Sequence, residues 1–185
     1  PLKDKPLRNP GQSIQKEIDD VYHDQVDSAS SILAITGSMC LMAWLIWLVP
    51  TPPFTMALIS TLYFLGSLLY SIPKLRRARQ TIKRLKQARD GEQAVAEYLD
   101  TLKSNGCRVL HDIVGEGFNL DHVVIAPQGI FIVETKTLSK TEGKNNKIHF
   151  DGEKIKINTY EPPRNPVVQA KAQQTWLTRL LKEST

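Results

Sequence analysis

Glu134 and Lys136 stand two apart at the end of "IFIVETKT", residues 130–137, a run that otherwise has the character of a buried strand. Side chains two apart along a strand share a face, so both join Ile130 and Ile132. Burying a carboxylate and an ammonium is costly unless they pair or bind something. Just upstream, "LDHVVIAP" reads as a strand with Asp121, Val123 and Ile125 on one face, and "QG" as the turn. A hairpin centred between Pro127 and Gln128 sets Asp121 opposite Glu134, so two carboxylates and a lysine converge on one patch.

Facing carboxylates repel, and in an apolar sheet at least one is pushed toward protonation. A divalent cation removes the conflict, because Mg2+ takes one or two carboxylates and keeps waters for a phosphate substrate. Lys136 would then position or deprotonate a water, or steady charge on phosphorus. The plainer account is a cross-strand salt bridge from a surface Lys136 to Asp121 or Glu134, and an E-x-K triplet alone does not go beyond it.

Several elements must position this patch. "DGEQAVAEYLDTLKSNG" reads as an amphipathic helix, with Asp90 as N-cap, Gly106 as stop and Val95, Ala96, Leu99 and Leu102 as its stripe. Glu92 falls on that stripe, an odd place for a carboxylate unless it complements the helix dipole or serves the patch. "CRVLHDIV" reads as a strand and "GEGFN" as a turn, with Gly115 and Gly117 suiting unusual backbone angles. His111 and His122 lack zinc-site spacing, and His122 faces away from Asp121, which points to hydrogen-bonding roles. A further hairpin is expected over His149–Ile157 around "DGEK". Asn165 and Pro166 suit the N-cap and first turn of a final helix.

The 185 residues carry a net charge of +5 and two cysteines, too few for a disulfide framework or a four-cysteine metal site. No charged residue stands between Asp27 and Lys74. Prolines 50, 52 and 53 divide that stretch into apolar runs of about 32–49 and 56–72, a transmembrane hairpin. The alternative is a hairpin buried in a globular core, where a polar face would normally remain. Residues 74–89 carry eight Lys and Arg and no acid, which predicts a cytoplasmic location and contact with anionic lipid. The expected organisation is a cytoplasmic N-terminal segment (1–30), the hairpin (31–73), a basic juxtamembrane helix (74–90) and a soluble domain (91–185). That domain is read as open to truncation at its C-terminus. A multi-pass inner (plasma) membrane protein with both termini in the cytoplasm follows.

"GEQAVAEYL", "VLHDIV", "LDHVVIAPQGIFIVETKTLS" and "NPVVQAKAQ", in this order, resemble the NERD (nuclease-related) domain, a branch of the PD-(D/E)XK nucleases. The resemblance covers about Gly91 to Leu181. It implies an α/β fold with an α-β-β-β-α core around a central mixed sheet. It also implies that Glu92, Asp121 and Glu134 approach the metal, Mg2+ or Mn2+, that Lys136 is the catalytic lysine, and that Gln169 is the glutamine of the final helix. Gln169 shares a stripe with Gln173, Trp176 and Leu180, in keeping with that placement. Lys140, Lys144, Lys147, Lys154 and Lys156 could grip a phosphate backbone, or simply form a solvated loop.

The expectation is therefore a membrane-anchored, metal-dependent nuclease, with DNA favoured as the nucleic-acid partner. Its rivals are a catalytically inactive nucleic-acid-binding module on the membrane and an oligomeric membrane scaffold, in which "GSMC" or "LGSLL" would let helices of a homo-oligomer approach.

Overall fold

The computed structural model describes residues 7–47, 54–138, 147–157, 161–162 and 164–183. The chain divides into two compact units, one of residues 15–86 and one joining residues 1–14 to residues 87–185.

The first unit is helical. α1 (Gln12–Val21) passes through a π-helical stretch, Tyr22–Asp27, into α2 (Ser28–Trp47), and α3 covers Phe54–Asp100. Two helices here, Gln12–Ile46 and Phe54–Asn105, are long and apolar enough to cross a membrane, and only 11% and 17% of their most apolar windows are buried. A hairpin inside a globular core would bury far more. Large apolar side chains such as Leu62, Tyr63 and Leu69 point outward, while the contact between the helices uses small and hydroxyl groups. Thr36 Oγ1 meets Ser67 Oγ at 2.8 Å, and Trp44 Nε1 donates to Thr61 Oγ1 at 2.9 Å. The turn expected at the three prolines lies outside the described residues.

The second unit carries the sheet. β1 (Arg108–Val114), β2 (Asn119–Ala126) and β3 (Gly129–Val133) form one antiparallel sheet in that order, and β4 (Ile148–Phe150) pairs with β5 (Ile155–Ile157). Alternation in β2 sends Val124 toward Leu99 and Val109, with Val95, Leu102, Cys107 and Val133 packed around them. The stripe expected on the helix before Gly106 is thus the core face. α4 (Pro166–Glu183) begins as foreseen, with Asn165 Oδ1 accepting from Val167 N at 3.0 Å. The hairpin around "DGEK" also forms, its turn held by Asp151 Oδ1 accepting from the Glu153 and Lys154 amides.

Three expectations need correction. No helix begins at Asp90, because α3 runs from Phe54 through Pro73 to Asp100. All described strand pairs are antiparallel rather than mixed, as short hairpin connections require. And β3 ends at Val133, so Glu134 to Thr137 lie beyond the ladder.

Candidate active site

The end of β3 is where the site begins. The pairs His122–Val133 through Ala126–Gly129 follow one register, and its continuation puts Asp121 opposite Glu134 as expected. The ladder stops there because the amide of Thr135 donates to Asp121 Oδ2 at 2.7 Å instead of to a strand carbonyl. Asp121 is 9% exposed. Glu134 is held from α4, where Gln173 donates through Nε2 to Glu134 Oε2 at 2.8 Å and to the Asn119 carbonyl at 3.1 Å.

Glu92 arrives from α3 through a close approach at its neighbour. A Cβ on Gly91 would collide with the Thr137 side chain, so only glycine lets the segment after Lys136 lie against the helix here. The backbone amide of Gly11 favours the ionised form of the Glu92 carboxyl. Burial, then the charge of Asp121, and then those of Asp112 and Glu134 push the Glu92 carboxyl up to about 8. Burial and Asp121 likewise raise Glu134 to about 7, against opposing pulls from Gln173 and Lys136. Asp121 is also raised, chiefly by burial, with the Thr135 amide and Lys136 acting the other way. Lys136 itself is exposed and forms no ion pair among the described residues, which removes the simple salt-bridge account.

One carboxylate joins the site that residue spacing did not bring forward. The β1–β2 register, with His111 against His122 and Ile113 against Leu120, sets Asp112 across from Asp121. Asp112 adopts φ 50 and is 2% exposed, and its Oδ2 accepts from Arg8 Nε at 2.8 Å, Ser13 N at 2.9 Å and Ser13 Oγ at 3.0 Å. On the core face, Asp100 Oδ1 contacts His111 Nε2 at 3.0 Å, His111 Nδ1 contacts His122 Nδ1 at 2.9 Å, and His122 Nε2 contacts Thr135 Oγ1 at 3.2 Å. The histidines therefore have the hydrogen-bonding role expected. Burial, and next His111, lowers the His122 imidazole to about 4.

Glu92, Asp121, Glu134 and Lys136 thus act on one another electrostatically around one end of the sheet. Gln169 does not join them by any described hydrogen bond, and its Oε1 is buried without a partner. The glutamine that reaches the site is Gln173, one turn further along the same stripe. Of the lysines considered for phosphate contact, Lys140 and Lys144 lie outside the described residues, while Lys154 pairs with Glu161 at 2.9 Å.

Among the described residues, no three His, Cys, Asp or Glu side chains are arranged as a ready cage for a metal ion. The donor set nevertheless fits a hard cation that needs only one or two carboxylates, since Asp121 and Glu134 are adjacent oxygen donors that repel in its absence.

This sheet and the helical segments that flank it fall within a nuclease-related domain. The chain belongs to this NERD family, which matches residues 87–185. No curated protein and no solved structure matches the chain.

Proposed function

We propose that this protein is a membrane-anchored, metal-dependent nuclease that hydrolyses phosphodiester bonds. The observation carrying this reading is the convergence of a buried Asp121 with half-buried Glu92 and Glu134 at one end of the sheet, beside an exposed Lys136 that forms no ion pair among the described residues. Such a grouping is unfavourable for folding and suited to a cation. Asp121 and Glu134 would hold Mg2+ or Mn2+, with Glu92 at its edge. The ion, when bound, would activate water and offset charge on the phosphorane.

The chain's own residues would do the rest. Gln173 orients Glu134 through its amide, and the Thr135 amide fixes the Asp121 carboxylate. Lys136, exposed on the solvent side, would orient the attacking water or take its proton. DNA is preferred over RNA by family analogy alone. Two apolar helices and the basic run from Lys74 support anchoring with the domain in the cytoplasm, next to anionic lipid.

The test uses the whole chain in detergent or nanodiscs with linear, supercoiled and single-stranded DNA and with RNA, under Mg2+, Mn2+ or EDTA. Cleavage should need metal and fall by roughly 10²- to 10⁴-fold in Asp121→Ala and Lys136→Ala. Binding of nucleic acid without cleavage, unchanged in both variants, would replace catalysis with a tethered binding module. Self-association without nucleic-acid affinity would leave the membrane scaffold.

A further inference from the structure

The stretch from Arg8 to Ser13 lies before the uncharged runs of both apolar helices, far in sequence from the nuclease-related domain, yet it is part of the same compact unit. Its contacts concentrate on one buried carboxylate. Arg8 meets Asp112 Oδ2 through Nε and Nη2, both at 2.8 Å, and Arg8 Nη2 also donates to Ser13 Oγ at 2.8 Å. Ser13 adds its amide and its hydroxyl to the same Asp112 oxygen. Between them, Gly11 takes φ 70, and a Cβ there would press on Arg89 Cγ at 2.8 Å.

Asp112 is no ordinary strand residue. It is 2% exposed, opposite Asp121, and in a left-handed conformation that an aspartate tolerates but most residues avoid. A buried carboxylate without compensation is costly and would be a fourth acidic group beside the proposed metal ligands. A guanidinium fixed by two nitrogens cancels that charge and, unlike a mobile counter-ion, stays in place.

We propose that Arg8 is a positioning residue of the site: by neutralising Asp112 it keeps a divalent cation on the Asp121–Glu134 side of the sheet end. This rests on the metal-dependent reading above. Without the guanidinium, Asp112 attracts the cation, which binds more tightly but in the wrong place. Affinity and turnover then move in opposite directions, whereas a purely structural loss would lower both.

The experiment is Mn2+ binding to the full chain by titration calorimetry without nucleic acid, alongside melting temperature and, separately, turnover. Arg8→Ala should bind Mn2+ about fivefold more tightly, as one unscreened charge nearby implies, while cleaving about tenfold more slowly. Arg8→Lys, which keeps the charge but not the two-nitrogen contact, should shift both quantities in the same directions but by less than Arg8→Ala. Arg8→Ala combined with Asp112→Asn, which removes both charges, should restore both quantities. Arg8→Gln, which keeps a donor but not the charge, carries the same test if Arg8→Ala folds poorly. Unchanged Mn2+ affinity in the charge-removing variants overturns the proposal, as does failure of the double variant to recover. Wild-type chain that binds Mn2+ but cuts nothing defeats the nuclease reading and leaves the affinity test intact. Wild-type chain that binds no Mn2+ overturns both.

Discussion

Gln173 Nε2 lies 2.8 Å from Glu134 Oε2 and 3.1 Å from the Asn119 carbonyl, so a single amide ties α4 to the start of β2 and to the residue just past the end of β3. Gln173 is 2% exposed and its bond is to a carboxylate that burial and Asp121 drive toward protonation. It therefore holds the charged form of Glu134 in one orientation. Gln173→Ala should reduce metal affinity or turnover by about 10- to 100-fold, the usual effect of removing a partner that orients a ligand. Gln169→Ala should cost clearly less: the Oε1 atoms of both glutamines are buried without a partner, but only Gln173 donates to Glu134. Steady-state kinetics of the two alanine variants side by side check this, and an equal loss in both would contradict the geometry.

These two glutamines show where sequence reading reached and where it stopped. Both lie on the stripe that also carries Trp176, and helical periodicity cannot say which turn meets the strand ends. That depends on how far α4 slides along β3, a matter of packing. The hairpin register was legible because the apolar alternation in "LDHVVIAP" and "IFIVETKT" and the short turn allow only one pairing. The departure of Glu134 to Thr137 from that ladder was not, since the competitor for the Thr135 amide is a side chain, Asp121. Asp112 could have been found by extending the β1–β2 pairing to Asp121. Its partner Arg8 could not, because 104 positions separate them and Arg8 belongs to no motif.

Gly91 provides a test with an inverted sign. Replacing an interior helical glycine with alanine ordinarily stabilises a helix by about 1 kcal/mol. Here the new methyl would overlap the Thr137 side chain, with Thr137 Cγ2 at 3.1 Å and Cβ at 3.2 Å. Gly91→Ala should instead destabilise the fold by about 1–3 kcal/mol, as overpacking does, and move Glu92 or Lys136 enough to depress activity. Adding Thr137→Gly should recover part of the loss. Gly66→Ala, in the same helix with nothing within 4 Å of its Cβ, should not destabilise. Thermal melting of these variants decides the matter.

The raised carboxylates fix the direction of the pH response without metal. Between its ordinary 4.5 and about 8, Glu92 stays protonated in the folded chain but ionises in the unfolded one. The unfolded state then binds fewer protons, so this contribution to stability falls as pH rises across that window. Glu134 acts in the same sense between 4.5 and about 7. Melting temperature of the metal-free chain should therefore decline toward the alkaline side, and Glu92→Gln should flatten the slope. Added Mg2+ should raise the melting temperature most where these carboxylates are ionised. His122 works oppositely: neutral when folded down to about 4, it costs stability as pH drops below its ordinary 6.5.

In the helical unit, the contact at Thr36 and Ser67 is the point to probe. The hydroxyls meet at 2.8 Å with both residues nearly buried, while Gly37 offers only 3.3 Å between a new Cβ and the Phe64 ring. If these helices lie in lipid, the hydrophobic effect adds little to their association, and close packing with interhelical hydrogen bonds must sustain it. Thr36→Val should therefore lose about 0.6–1.7 kcal/mol in a detergent unfolding titration, the range seen for such bonds in membranes. Thr36→Val with Ser67→Ala should cost little more than Thr36→Val alone, because the interhelical bond is already lost and Ser67 Oγ is left only its bond to the Phe64 carbonyl of its own helix. Gly37→Leu should be worse than either, as its side chain must displace Phe64. If all three variants unfold with the wild-type chain, these polar and close contacts do not hold the hairpin together.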